Sequence, residues 1–228
     1  MKKYLFPSLE NQSCKRFIWV LKLGDNANIT YIKSLLNDST RFESLVIYEK
    51  DFKEYIKNIT KNYDILITTR IDYDDRIYYD AVNDVRKSIN INKPVILYGY
   101  NRGVYYFESN NKYYECIRND TIEGVMSIFP SLILVLNKVN YTFTINDLGT
   151  HIFLRKKILE LCNTFGIQEL NYEPAIYDSG DVKFVWVRQK YSGLYNSTEN
   201  IKKDLKEYKF NLSKFYGKYC YQNTEIFY

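Results

Sequence analysis

The chain has 228 residues, 46% of them hydrophobic, enough for an α/β domain with a full core and too apolar for an intrinsically disordered chain. Its 32 basic and 27 acidic residues leave a net charge of +5, which suits an anionic small ligand without the basic stripe of a nucleic-acid binder. Four scattered cysteines (Cys14, Cys116, Cys162, Cys220) and one histidine, His151, argue against a zinc site and for reduced thiols in a cytoplasmic protein.

Taken in order, the chain shows no leader and no spanning segment. Pro7 and Glu10 interrupt the apolar stretch after Met1-Lys2-Lys3. The run from Val125 to Val135 contains Pro130 and falls short of the roughly 20 residues of a spanning helix, so any membrane contact is expected to be peripheral. Phe17 to Leu23 predicts a strand closed by Gly24-Asp25, and Asn28 to Leu36 a helix. Ser44 to Tyr48 predicts a second strand, Asp51 the cap of a helix to Ile59, and Asp64 to Thr69 a third strand. This alternation predicts a sheet that is parallel in its first half, with helices on its faces.

The middle changes character. Asp75 to Ile89 predicts a helix with Ile77, Ala81, Val82 and Val85 on one side. Val95–Tyr98, Val104–Phe107 and Tyr113–Ile117 predict short antiparallel strands, separated by Asn101-Arg102-Gly103 and Ser109-Asn110-Asn111. Ser131–Val139 and Tyr141–Ile145 predict one short helix and one strand. Asn146 to His151 leads into a helix through Cys162, Lys183–Gln189 is a late strand, and Ile201–Tyr208 reads as a solvated helix.

The chemistry concentrates at Thr68-Thr69-Arg70-Ile71-Asp72-Tyr73-Asp74-Asp75, directly after the apolar run Ile65-Leu66-Ile67. In extended chain, residues two apart point the same way, so Asp72 and Asp74 are expected to face one ligand. Carboxylate oxygens are hard ligands for magnesium or manganese, which share their shell readily with phosphate oxygens. The alternative is a solvated turn that caps the following helix. Asp25 also falls at a strand end, where ligands bind in open α/β sheets.

Two blocks carry a resemblance. Pro7-Ser8-Leu9-Glu10-Asn11-Gln12-Ser13, with the strand to Gly24-Asp25, is similar to the P-S-L-x-x-Q helix and following strand of family-2-type GT-A glycosyltransferases. With Thr68 to Asp75 added, the chain resembles more narrowly a family of rhamnosyl transferases, whose hallmark is T-T-R-(L/I)-D-x-D-D. The resemblance implies a GT-A-like, Rossmann-type nucleotide-sugar-binding fold with a mixed central sheet flanked by helices. It implies one domain over residues 1–228, with 1–90 the nucleotide-sugar half and 91–228 the acceptor half. It further implies a UDP- or dTDP-sugar donor, Mn2+ or Mg2+ at Asp72 and Asp74, and a base or ribose contact at Asp25. Arg70 is expected to help with diphosphate charge or to brace the acids.

Two departures stand out. Such folds open with a strand before the P-S-L helix, whereas this chain reaches that helix almost at Met1, so either the natural start lies upstream or the sheet lacks that strand. Tyr191 stands where the family carries a histidine after the late Trp186 strand, which weakens the expected metal association. Transfer to a glycan or glycoprotein acceptor with inversion needs a general base. Asp147, at a helix start, and His151, one turn on, are the candidates; a helix cap and a packing residue are the alternatives. Asp178 and Asp181 read as turn residues, and Glu108, Glu115 and Glu123 as surface acids. Tyr105, Tyr106, Tyr113 and Tyr114 offer aromatic faces for a sugar, though strand alternation places neighbours on opposite faces. The competing reading is a degenerate relative that binds or partners without transfer.

Overall fold

The computed structural model describes residues 4–37, 42–72, 74–100, 102–117, 129–149, 154–167, 175–176, 182–188 and 205–216. The fold is mixed α/β. Helix α1 (Leu5–Glu10) leads to strand β1 (Trp19–Leu23), helix α2 (Ile29–Asn37), strand β2 (Ser44–Tyr48), helix α3 (Glu49–Thr60) and strand β3 (Ile65–Thr69). A short strand β4 (Arg76–Ile77) and helix α4 (Ala81–Lys87) follow, then strands β5 (Val95–Gly99), β6 (Arg102–Phe107), β7 (Lys112–Ile117) and β8 (Ser131–Val135). Two 3-10 turns (Leu136–Lys138, Ile145–Leu148), helix α5 (Leu154–Thr164), strands β9 (Ala175–Ile176) and β10 (Phe184–Arg188) and helix α6 (Leu212–Tyr216) complete it.

Among the described residues the strands form three groups. β1 and β2 pair in parallel. β3, β8, β5 and β9 form a mixed sheet, in which β8 is antiparallel to both β3 and β5. β4, β10, β6 and β7 form the third. The expected parallel first half therefore holds for β1 and β2, while β3 takes an antiparallel partner supplied from the middle of the chain. The predicted meander is corrected likewise: β6 and β7 form an antiparallel hairpin, whose turn places Asn111 at φ 55°, but β5 belongs to another sheet. The expected helix from Asp75 is replaced by β4, which pairs with β10, and the helix starts only at Ala81. No strand forms over Tyr141–Ile145, and Leu205–Tyr208 holds no helix but bridges β7 through Glu207 and Tyr114.

Side-chain alternation assigns each strand two faces. Trp19 and Leu21 of β1, Val46 of β2, Ile65 and Ile67 of β3, Ile133 of β8 and Ile96 of β5 pack into one cluster with α1, α2 and α4. Val20, Ile47, Leu66, Leu134 and Leu97 point the other way, into a cluster with α3 and α5. The first two strand groups thus share one helix layer on each face. A third cluster lies under α6, on the far face of β10 and β6, around Val104, Val185, Val187 and Phe215. Phe184 lies so close over Gly103 that an added Cβ would meet its ring at 2.3 Å.

α1 and the turn after it are fastened by polar side chains. Ser8 and Gln12 are both buried. Gln12 donates from Nε2 to the Tyr78 carbonyl at 2.8 Å and accepts the Val82 N–H at 3.1 Å. The Ile77 N–H reaches Ser8 Oγ at 3.3 Å. Among the described residues, no helix is long and apolar enough to cross a membrane.

Candidate functional site

The β-branched run of β3 ends at Thr69, whose hydroxyl bonds that of Ser131 on β8 at 2.8 Å. One more ladder bond, from the Arg70 N–H to the Pro130 carbonyl at 3.0 Å, ends the pairing. The chain then turns: the Asp75 N–H returns to the Asp72 carbonyl at 3.3 Å, closing a four-residue turn. Asp72 and Asp74 therefore sit on a turn rather than on extended chain, which corrects the geometry expected from their spacing. The turn feeds a strand, so the helix-cap alternative does not hold either.

Both carboxylates nevertheless line one cleft of about 1040 Å³. Its lining includes Arg70, Asp72, Asp74, Asn146, Trp186 and Arg188, apolar residues of α1, β1, α3 and β3, and the basic Arg16, Lys22 and Arg86. Arg70 Nε lies 3.6 Å from Asp72 Oδ1, and its Nη1 donates to the Gly149 carbonyl at 2.9 Å. Arg70 thus makes a single contact with one of the two acids, and a hydrogen bond to the residue that ends the 3-10 turn. Burial raises the Asp74 carboxyl above its ordinary range, and the Asp72 charge adds to the rise. Burial raises Asp75 much further, again with the neighbouring Asp74 charge. Asp75 Oδ1 accepts the Val187 N–H at 3.1 Å, which ties the turn to β10, while its buried Oδ2 has no hydrogen-bond partner. Arg188 is buried beside this cluster, its guanidinium carbon 4.0 Å from the Trp186 ring centre.

Among the described residues, no three His, Cys, Asp or Glu side chains are placed to hold a metal ion. Asp72 and Asp74 fit the kind of cation that takes few protein ligands and completes its shell with phosphate oxygens and water, as magnesium does. Like charges packed into a half-buried turn also suit a cation.

The other predicted residues fall elsewhere. Asp25 is exposed, pairs with Lys50 at 3.3 Å and does not line the cleft. Asp147 is a cap: its Oδ2 accepts the Thr144 N–H at 2.8 Å and the Thr144 hydroxyl at 2.9 Å, closing a capping box. Its neighbour Asn146 lines the cleft, and Asp147 does not. His151, Tyr191, Asp178, Asp181, Glu123 and Cys220 lie outside the described residues. The four tyrosines do not line the cleft either. Tyr105 and Tyr114 are buried on one face of the hairpin, and Tyr106 and Tyr113 pack with each other on the opposite one. Cys14, Cys116 and Cys162 are buried free thiols.

Sequence reasoning missed Arg188, Trp186 and Asn146 in the cleft lining. The first two alternate along β10, where their spacing reads only as a strand. No protein-family model, curated protein or solved structure matches this chain.

Proposed function

We propose that this chain is a GT-A-like glycosyltransferase domain. It binds a UDP- or dTDP-sugar at the Asp72–Asp74 turn and passes the sugar, rhamnose by the resemblance, to a glycan or glycoprotein acceptor. The observation that supports this reading best is that Arg70, Asp72 and Asp74, just beyond the carboxyl end of β3, line one large cleft together with Arg188. Ligands of open α/β sheets bind in that position. The β1–α2–β2 unit that precedes it is a parallel β–α–β crossover, which is compatible with this reading.

Asp72 and Asp74 would hold a divalent cation, which neutralises a diphosphate leaving group when bound. Arg70 pairs with Asp72 and orients it, and Arg188 adds positive charge near Asp74, beside Trp186. A cleft of about 1040 Å³ leaves room for a nucleotide-sugar.

One observation favours the second reading, a degenerate member that binds without transfer. Asp72 and Asp74 are the only acids lining the cleft among the described residues, and Asp147 is committed to its cap. Calorimetric titration of UDP and dTDP, with and without manganese, tests the donor site. A donor-sugar hydrolysis or transfer assay then separates the two readings.

A further inference from the structure

A buried cation is stable only with a counter-charge or with acceptors for its N–H groups. Lys183 has Asp84 at 3.4 Å, and Arg102 has Glu115 at 3.2 Å. Arg188 is only 6% exposed, and among the described residues no carboxylate lies within ion-pair distance of it. Its buried Nε has no hydrogen-bond partner. Arg76 also has buried N–H groups without partners, but it lies against the Tyr4 and Tyr106 rings and does not line the cleft. Arg188 does line it.

Arg188 also differs from the other basic residues of the lining. Arg16 and Arg86 are exposed, Lys22 pairs with Glu49 at 2.9 Å, and Arg70 pairs with Asp72 at 3.6 Å. Among the described residues, Arg188 is therefore the buried cation of the cleft that has no counter-charge in contact.

The fold holds this cation in place. Two residues apart on β10, Trp186 and Arg188 share one face of the sheet. The guanidinium carbon lies 4.0 Å from the Trp186 ring centre and 5.4 Å from that of Tyr105. Those two rings occupy paired positions of β10 and β6 and stack, with centres 5.4 Å apart and planes at 22°. The backbone is pinned as well. The Val187 N–H goes to Asp75 Oδ1 at 3.1 Å, and the Arg188 carbonyl accepts the Glu108 N–H at 3.2 Å. The first of these bonds fastens the end of β10 to the turn that carries Asp72 and Asp74.

The acids of that turn leave the Arg188 charge available. Burial raises the carboxyls of Asp74 and Asp75, and the Arg188 charge opposes this without a contact. A divalent cation would match the two charges of Asp72 and Asp74, leaving that of Arg188 for the ligand. A guanidinium held against aromatic rings keeps N–H edges that fit two phosphate oxygens at once. A monophosphate can meet the cation or Arg188, whereas a diphosphate can meet both.

We propose that Arg188 is a direct phosphate ligand, and that it makes the cleft select a diphosphate over a monophosphate. This rests on the donor-site reading for the place of the ligand, and it adds the residue that distinguishes two phosphates from one.

The test is calorimetric titration of pyrophosphate, UDP and UMP, with manganese present, into the parent chain, Arg188→Gln and Arg188→Lys. Circular dichroism establishes that each protein is folded. The parent should bind UDP at least about tenfold tighter than UMP, and Arg188→Gln should weaken UDP and pyrophosphate at least about tenfold while UMP changes by less than about threefold. A purely structural role would weaken UDP and UMP alike. Arg188→Lys keeps the charge without the fork, so its preference for UDP over UMP should still fall at least about threefold, and it carries the test if Arg188→Gln does not fold. Manganese-dependent UDP binding that ignores the Arg188 substitutions, or equal loss of UDP and UMP, would overturn the assignment and leave the donor site standing. Pyrophosphate binding that depends on Arg188, with UDP bound no tighter than pyrophosphate, would uphold the assignment and count against a nucleotide donor. Failure of the folded parent to bind any of the three would overturn both.

Discussion

Gln12, in the first of the two blocks that mark this chain, is bonded to the backbone of Tyr78 and Val82, just after the second. Two residues past α1, it holds the Tyr78 carbonyl at 2.8 Å and the Val82 N–H at 3.1 Å, so the end of the helix carrying Pro7-Ser8-Leu9 is tied to the segment that follows the Asp72–Asp75 turn. Replacing Gln12 by methionine keeps the volume and strands these backbone groups away from water. The expected cost is about 1–3 kcal/mol, read from chemical denaturation, against a few tenths for the exposed Asn58→Ala.

Arg70 reaches from Asp72 to the Gly149 carbonyl and so couples the turn to the residue that ends the Ile145–Leu148 3-10 turn. In Arg70→Ala the fold should persist, because the side chain is one-third exposed. Nucleoside-diphosphate affinity should fall about tenfold, since a charge-assisted contact and the orientation of Asp72 are lost together. Arg70→Lys keeps the charge without the fork and should recover only part of the loss. Titration calorimetry of the two variants reads both effects.

Asp75 should make stability fall as pH rises. Burial, with the Asp74 charge adding, holds its carboxyl well above the ordinary range, while the Val187 N–H opposes this. The folded chain thus keeps a proton that the unfolded chain has already released. The stability that this proton confers is complete below the unfolded value, about 4, and is lost as pH rises through the folded value. Asp75→Asn retains an acceptor for Val187 and removes the titration. The variant should melt higher than the parent near neutral pH, and its melting temperature should vary less with pH, as followed by circular dichroism.

Asp84 and Lys183 form an ion pair at 3.4 Å with side chains only 4% and 6% exposed. Tyr100 Oη donates to the same carboxylate at 3.0 Å, and the Lys183 ammonium lies 3.8 Å from the Tyr78 ring centre. Asp84→Ala leaves a buried cation without its counter-charge and should cost about 3–5 kcal/mol in denaturant unfolding. Adding Lys183→Met should recover part of that loss, a coupling that a double-mutant cycle measures.

Much of the first half is legible in the sequence because strands that carry apolar side chains toward both helix layers read as continuous apolar runs. Ser44–Tyr48 and Ile65–Thr69 are bounded by polar residues on each side and fall where the runs predict. The pairing of β3 with β8 is not legible, since it depends on a segment some 65 residues away that reads only as apolar. The stretch after Asp75 misleads because Ile77, Ala81 and Val85 keep helical spacing, although Ile77 belongs to β4. At the site, Asp72 and Asp74 are visible from their spacing, but the turn that presents them is set by the Asp75 N–H bond to Asp72 and the hold of Val187 on Asp75. Asp147 shows the limit of residue type as a guide: its acid at a helix start is a cap, and the cleft receives Asn146 instead.

The central claim is a metal-assisted donor site at Asp72 and Asp74. Titrating UDP and dTDP into the protein, with and without manganese, tests it most directly, with the Asp72→Asn, Asp74→Asn double variant as control. The account predicts saturable binding that requires manganese and is lost in the double variant. Nucleotide binding that persists without metal and survives both substitutions, or no binding by a folded parent chain, would contradict it.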